Sequence, residues 1–129
     1  MFGGVIIENM GDCPFCKIIN GEEPERTIIF ENDSIIAIKP THEISPGHTL
    51  VIPKQHYVDL FDIPVASLKE IIDISQQLAK SLQEKYKSAG TNLLHASGKN
   101  AGQSVFHFHM HVVPRYPDDG LSLWLRKNP

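Results

Sequence analysis

Three histidines that alternate with apolar residues form the densest group of chemically active side chains in the sequence. His107, His109 and His111 lie in the segment S-V-F-H-F-H-M-H-V-V-P-R, which spans residues 104–115. Period-two alternation with aromatic and β-branched residues predicts a half-buried strand, so all three imidazoles should share one face. Because a strand rises ~3.3 Å per residue, neighbouring rings should lie roughly 6.6 Å apart, close enough for one phosphoryl group to contact two of them.

This row is compatible with three interpretations. Each imidazole could be an ordinary structural histidine, but every buried one would then need its own hydrogen-bonding partner. The three rings could bind a metal, although ligand nitrogens ~2.1 Å from one ion must converge, which neighbouring positions of one strand do poorly. A neutral imidazole could instead attack phosphorus while a charged neighbour holds the oxyanion. The shared face favours this third interpretation.

The cysteines form a second candidate group. Cys13 and Cys16 have the spacing C-x-x-C and are the only cysteines in the chain. The first residues lack the basic region and cleavage site of a secretory signal, which disfavours a disulfide scaffold. A redox pair should open a helix within a βαβ pattern, which is absent. Half of a structural zinc site is favoured over a redox pair or two inert thiols, and it requires two further ligands.

Four ordered segments carry a family resemblance. They are C-P-F-C-K-I-I (residues 13–19), P-G-H-T-L-V-I-P-K (46–54), A-G-Q-S-V-F (101–106) and H-F-H-M-H-V-V (107–113). In this order and spacing they resemble the motifs of the histidine triad (HIT) superfamily of nucleotide hydrolases and transferases, in particular its bacterial, Hint-like branch. The likeness extends from about Asp12 to the C terminus.

The resemblance implies a set of catalytic and binding residues. His109 is expected to attack the α-phosphorus of a nucleoside 5′-phosphoramidate or related nucleoside phosphate derivative, forming a nucleotidyl-histidine intermediate that water hydrolyses. His111, with His48, is expected to donate to the non-bridging oxygens, while His107 anchors the strand. The substrate is expected to be a purine mononucleotide derivative. Its implied contacts are Gly102, Gln103 and Ser104 at the phosphate, and Phe15 and Ile18 at the purine.

The same likeness supplies the missing zinc ligands. Several bacterial members, and the related galactose-1-phosphate uridylyltransferases, close a Cys2His2 site with the first triad histidine and one upstream histidine. Here these are His107 and His56. The implied ligands of a structural zinc ion are therefore Cys13, Cys16, His56 and His107.

Two positions depart from the family pattern. Pro40 stands where many members have an acidic residue that binds the ribose hydroxyls, and Ala96 stands where many have an asparagine. Loss of a carboxylate and an amide removes polar contacts to a ribose. The motifs therefore predict phosphorus chemistry without predicting a preference for adenosine.

Two other function classes remain open. One is another enzyme of the superfamily, either a dinucleoside polyphosphate hydrolase or a nucleotidyltransferase. Transferases often have glutamine at the third triad position, where this chain has His111. The other class is a non-catalytic nucleotide-sensing or zinc-stabilised interaction module, which Pro40 and Ala96 keep open.

Length and composition narrow the possible partners. The 129 residues correspond to one domain, which we place at residues 12–129, after an N-terminal arm at 1–11 that we expect to be flexible. A net charge of −3 with scattered basic residues disfavours polymeric nucleic acid as a partner. No apolar run approaches the ~20 residues that cross a bilayer, so we expect a cytoplasmic protein. The family resemblance implies a homodimer.

The elements that position these residues follow from the surrounding patterns. An amphipathic helix is predicted at residues 65–87, capped by Asp62 or Ile63 and ending near Gly90, and a short helical turn follows the cysteines. Predicted strands cover residues 27–30, 34–39, 48–52, 92–95 and 104–115. Together they predict an α+β domain with a sheet of about five mostly antiparallel strands, one long helix and one short helix. The resemblance identifies this arrangement as the HIT-like fold.

Overall fold

A five-stranded antiparallel sheet with one long and one short helix forms the described part of the chain. The computed structural model describes residues 12–127. In chain order its elements are α1 (Pro14–Ile19), β1 (Ile28–Glu31), β2 (Ile35–Ile38), β3 (Thr49–Pro53), α2 (Val65–Tyr86), β4 (Gly90–Leu94), a 3-10 turn (Lys99–Ala101) and β5 (Met110–Arg115). The strand order is β1-β2-β3-β5-β4, and every pair is antiparallel. The predicted α+β class is confirmed.

Strands β2 and β3 are buried on both faces, which explains their nearly continuous apolar sequences. Because side chains alternate along a strand, each face of the sheet has its own core. Ile35, Ala37 and Val51 pack with α2 residues on one face. On the other face, Ile36 and Ile52 belong to a cluster with residues of α1. The second face is the one that also carries the histidines described below.

The long helix begins where the sequence predicts, but its caps differ. The residue at its N-cap is Pro64, and the Asp62 carboxylate instead accepts hydrogen bonds from main-chain N–H groups of the preceding loop. The C-cap after the last helical residue is Lys87, whose φ of 58° is left-handed. Its main-chain N–H donates to the carbonyl of Gln83. Gly90 is the first residue of β4 and has no capping role. The expected caps were therefore wrong at both ends.

The predicted strand at residues 104–115 is shorter than expected. β5 begins only at Met110, so His107 and His109 precede it. The reason is that main-chain groups here have partners outside a ladder. The N–H of Phe108 donates to a loop carbonyl at 2.6 Å, and the carbonyl of His107 accepts from the ring of His109 at 2.8 Å. The expectation that one strand carries all three triad histidines was wrong.

The predicted N-terminal arm at residues 1–11 lies outside the described residues. Within residues 12–127, neither α-helix combines the length and the apolar character that crossing a membrane requires.

Candidate functional site

One face of the sheet carries a pocket whose floor is a row of side chains across three strands. Leu50 of β3 and Leu94 of β4 both lie opposite His111 of β5 in register, and all three line the pocket. The cavity has a volume of about 480 Å³. This volume lies within the range of small-molecule sites and suits a ligand the size of a mononucleotide.

The histidines of the chain divide between this pocket and a second cluster. Of the seven, five line the pocket, namely His42, His48, His95, His109 and His111. The other two, His56 and His107, lie together with the cysteines. The pocket lining, which belongs wholly to residues 12–127, includes no carboxylate. An anionic ligand would therefore meet imidazoles without a like charge among the lining side chains.

The neutral ring of His109 has its lone pair on Nε2. Its Nδ1 lies 2.8 Å from the carbonyl oxygen of His107. Because a carbonyl only accepts, Nδ1 carries the proton and the lone pair of the neutral ring is on Nε2. Burial lowers the pKa of His109, which favours the neutral ring. The ring also packs edge-on against Phe15, with centroids 5.0 Å apart.

A chain of hydrogen bonds fixes the tautomer of His111. The main-chain N–H of Ile44 donates to Nδ1 of His48 at 3.2 Å, so a neutral His48 has its proton on Nε2. That Nε2 donates to Nδ1 of His111 at 3.0 Å, which leaves the His111 proton on Nε2. Burial lowers the pKa of His48 and brings that of His111 to about 4. His111 can therefore offer one N–H to a ligand, and His48 acts through His111.

The start of β3 places His48 by a turn that accepts only glycine. Gly47 has a φ of +91°, a conformation that side chains with a Cβ rarely adopt. A Cβ there would also lie 3.1 to 3.3 Å from side-chain atoms of Tyr86, Pro114 and Leu82. The Pro-Gly dipeptide thus packs closely on α2 and β5, and it directs His48 towards His111.

A compact cluster of Cys13, Cys16, His56 and His107 adjoins the pocket. Their possible ligand atoms all lie within 4.8 Å of one another. Nδ1 of His107 is 3.4 Å from Sγ of Cys13 and 3.6 Å from Sγ of Cys16, and Nδ1 of His56 is 3.2 Å from Sγ of Cys16. A tetrahedral zinc site with Zn–S ~2.3 Å and Zn–N ~2.05 Å has sulfur–nitrogen edges of about 3.6 Å. The donor set and spacing therefore fit a tetrahedral metal site.

Local structure explains how the cluster forms. Cys13 is the N-cap of α1, and its Sγ accepts from the N–H of Cys16 at 3.4 Å, so one helical turn brings both sulfurs together. His107 is completely buried, and its Nε2 donates to the carbonyl of Pro53 at 2.8 Å. Its Nδ1 lone pair consequently faces the sulfurs. Burial lowers the pKa of His107 to about 4, which keeps the ring neutral as a metal ligand must be.

The predicted phosphate-contact residues all line the pocket, but they differ in what they offer. Both ends of the Gln103 amide are engaged: Oε1 accepts from the N–H of Gly98 at 2.7 Å, and Nε2 donates to the carbonyl of Val58 at 2.7 Å. Gln103 therefore braces the loop. Ser104 is exposed at the pocket edge, and Gly102 has a φ of +104° that brings its main chain close to the cavity.

The predicted purine contacts lie in the core beside the pocket. Phe15 and Ile18 are 7% and 5% exposed and pack in the α1-side core cluster. The ring of Phe15 meets His107 and His109 edge-on, at 5.8 and 5.0 Å between centroids. Phe15 therefore contacts His107 in the cysteine–histidine cluster and His109 in the pocket.

Several pocket positions were not assigned a binding role from the sequence. His42 and His95 line the cavity, as do Pro40 and Ala96, the two departures from the family pattern. His95 follows the last residue of β4, and the sequence gives it no recognisable spacing to the triad. The signal that could have found it is strand pairing, since Leu94 lies opposite His111 in the antiparallel register.

Comparisons with known proteins agree with this geometry. A family model described as HIT domain matches residues 21–118, which include all five strands and α2. Protein hit of Bacillus subtilis is 36% identical over 105 residues, covering 81% of this chain and 72% of that protein. A crystal structure of a Zn-bound histidine triad family protein from Mycobacterium smegmatis has a TM-score of 0.83 at 38% identity, covering 94% and 86% of the two chains. A HIT family hydrolase from Legionella pneumophila Philadelphia 1 has a TM-score of 0.70 at 32% identity, covering 79% and 91%. As the sequence motifs predict, the chain belongs to the HIT domain family.

Proposed function

We propose that this protein is a nucleotide hydrolase that converts a nucleoside 5′-phosphoramidate, or a related nucleoside phosphate derivative, into the nucleoside monophosphate. The observation that carries the proposal is the pair of fixed tautomers in the pocket. His109 has its lone pair on Nε2, and His111 has its proton on Nε2, with ring centroids 5.1 Å apart. A nucleophile and a hydrogen-bond donor side by side are what displacement at phosphorus requires. The similarity to a HIT family hydrolase from Legionella pneumophila also supports it.

The reaction proceeds by two displacements at phosphorus. In the first, Nε2 of His109 forms a bond to the α-phosphorus, and the bond to the leaving amine breaks. The amine departs with the bonding electron pair and takes up one proton, for which we assign the exposed Ser104 hydroxyl as the relay from water. In the second, water attacks phosphorus and the bond to Nε2 breaks. One proton of that water stays on the nucleoside monophosphate, and the other is released to solvent.

His111 stabilises the charge that develops in both steps. Its Nε2–H donates to a non-bridging oxygen, and the donor from His48 keeps that proton in place. One preorganised donor of this kind contributes about 3 kcal/mol of transition-state stabilisation. Ser104, which also lines the cavity, is the residue of this loop that we assign as a further phosphate contact, because the three main-chain N–H groups before it already donate to loop carbonyls.

We also propose that Cys13, Cys16, His56 and His107 hold a structural zinc ion. The sulfur–nitrogen distances of 3.2 to 3.6 Å support this, as does the zinc in the related Mycobacterium smegmatis structure. Zinc would supply rigidity here, because it would hold the ring of His107, whose carbonyl orients His109.

We propose a homodimer, because the family resemblance implies a second copy of this chain as the partner. We also propose that the protein is located in the cytoplasm. Ile28 and Ile29 on one edge strand and Leu93 on the other are 49%, 41% and 43% exposed, which fits a chain that buries apolar edge residues on association. Light scattering should give twice the chain mass of 14.4 kDa. The chain mass itself would contradict the homodimer.

The hydrolase proposal is tested by replacing the nucleophile. His109→Ala should lower turnover of adenosine 5′-phosphoramidate by at least ~10³-fold, because it removes the proposed nucleophile. Mass spectrometry after a rapid denaturing quench should find a nucleotidyl adduct in the wild type and none in His109→Gly. An unchanged unfolding temperature shows that the fold survives. A variant that keeps its turnover would remove His109 from this role.

The same assay separates the other function classes. Diadenosine tetraphosphate and guanosine phosphoramidate are measured beside the adenosine compound. Faster turnover of the dinucleotide would favour a polyphosphate hydrolase. Tight binding without turnover of any of the three would favour a non-catalytic module.

A further inference from the structure

His95 connects the main chain of the nucleophile to a neighbouring loop. Its Nδ1 lies 3.0 Å from the carbonyl oxygen of His109. The other ring nitrogen, Nε2, lies 2.6 Å from the hydroxyl of Ser97, and that hydroxyl accepts from the main-chain N–H of Leu60 at 2.9 Å. These contacts involve neither the proposed metal ligands nor the tautomer of His111.

Only one set of proton positions satisfies this chain of contacts. The carbonyl of His109 accepts, so Nδ1 of His95 is the donor and Nε2 of the neutral ring has the lone pair. The Ser97 hydroxyl then donates to Nε2 while it accepts from Leu60. The His95 ring is also stacked on Phe108, with centroids 4.1 Å apart and planes inclined by 22°. The ring is thus fixed in both position and tautomer.

The contact replaces a ladder hydrogen bond where the sheet stops. β4 ends at Leu94 and β5 begins at Met110, so the carbonyl of His109 lies just beyond the paired region. The side chain of His95 supplies the donor that a longer β4 would have supplied from its main chain. The peptide that joins His109 to Met110 is therefore oriented by a side chain.

We infer that His95, held by Ser97, is a positioning residue that aims the nucleophile of the proposed hydrolase. His109 has two anchors: its ring is bound to the carbonyl of His107, and its main chain is bound to the ring of His95. Without the second anchor, the main chain of His109 can shift. This shift redirects the Cα–Cβ bond and moves Nε2 out of line with the phosphorus. Both nitrogens of His95 are already used, so it offers a substrate no polar contact, and its loss should reduce kcat with little change in KM.

The test compares two replacements of His95 that differ in one donor. His95→Phe keeps a ring to stack on Phe108 and removes the donor, whereas the amide N–H of His95→Asn can replace Nδ1–H. Small misplacements of a reacting group lower rates by up to about 100-fold. With adenosine 5′-phosphoramidate, His95→Phe should therefore lower kcat about 10- to 100-fold and leave KM within about threefold, and His95→Asn should recover most of the loss. A kcat of His95→Phe within twofold of the wild type, or His95→Asn as impaired as His95→Phe, overturns the inference.

A second measurement decides the inference without turnover. The amide of Met110 shares a peptide plane with the carbonyl of His109, so its hydrogen exchange by NMR should be about tenfold faster in His95→Phe and close to the wild-type rate in His95→Asn. The amide of Val113, inside β5, should exchange at the same rate in all three proteins and so verifies the fold. Unchanged exchange at Met110 contradicts the positioning role. If the wild type hydrolyses none of the phosphoramidates but Met110 responds as expected, the proposed function fails and the positioning of His109 by His95 stands.

Discussion

The cluster and the pocket both contain triad histidines, yet His107 in the cluster and His109 in the pocket present opposite ring nitrogens. In His107, Nε2 donates to the carbonyl of Pro53, and Nδ1 faces two sulfurs. In His109, two residues later, Nδ1 donates to the carbonyl of His107, and Nε2 is left for chemistry. In each ring, a hydrogen bond to one main-chain carbonyl determines which nitrogen carries the proton. The roles of His107 and His109 thus depend on which ring nitrogen the backbone engages, which the alternating sequence does not reveal.

The two regions also differ in enclosure and charge. Cys13 and His107 are completely buried, and thiolates would bring negative charge to the cluster, which suits a cation. The pocket opens to solvent, and its lining offers imidazoles and includes no carboxylate, which suits an anion. The ring of Phe15 touches both regions and separates them. The proposed cation site and the proposed anion site thus lie side by side.

The largest effect that would sharpen this comparison is expected at the cluster. Cys13→Ser removes one of four ligands, so affinity for zinc should fall by at least ~100-fold, because each ligand supports the geometry of the others. A chelator should lower the unfolding temperature of the wild type and leave that of the variant unchanged. Zinc content by a chromogenic chelator is the direct measurement. A variant that binds one equivalent of zinc at wild-type affinity would show that the cluster is not a metal site.

A second effect, on turnover, should separate direct from indirect donors in the pocket. His111→Phe removes the proposed donor to the phosphate and should lower kcat by ~10²- to 10³-fold. His48→Phe leaves that donor in place but removes the bond that orients it, so its loss should be ~10- to 100-fold. Steady-state kinetics with adenosine 5′-phosphoramidate measures both. If His48→Phe costs as much as His111→Phe, then His48 contacts the ligand directly and the chain of donors is wrong.

The smallest expected effect is a pH dependence of stability that belongs to the pocket. Burial lowers the pKa of His111 from 6.5 to about 4. Between these values the unfolded chain binds a proton that the folded chain does not, so the free energy of unfolding should fall as the pH drops from 6.5 to 4. His111→Phe should flatten this decline by at most ~1.4 kcal/mol per pH unit, and by less because the ring is partly exposed. The measurement is denaturant unfolding of both proteins at several pH values. If the free energy of unfolding falls equally in both proteins between pH 6.5 and 4, the pKa of His111 is not lowered.

The sequence was sufficient where local pattern and chemistry coincide. The apolar stripe of α2, the short turn after the cysteines and the short apolar or alternating runs elsewhere predicted two helices and five strands, because burial follows such patterns. The C-x-x-C spacing and the family motifs named four residues that the fold brings together. These successes involve residues whose role is visible within a few neighbours or within a known motif.

The misses depend on contacts between distant segments. The late start of β5 follows from side-chain and loop partners of residues 107–109, which no local pattern contains. The engaged amide of Gln103 and the donor of His95 likewise need partners 45 and 14 residues away in the chain. The cap at Lys87 was missed because lysine rarely adopts a left-handed conformation, so Gly90 was the expected choice.

The order of strands in the sheet has a consequence for how the protein is made. Of the five strands within residues 12–127, β5 is the last to leave the ribosome, yet it lies between β3 and β4 and is the only one of the five paired with β4. A nascent chain halted before Ser104 therefore lacks the segment that joins the two parts of the sheet, and it also lacks all three histidines of the triad. Architecture and chemistry are completed by the same final segment, so an interrupted translation product should be both unfolded and inert.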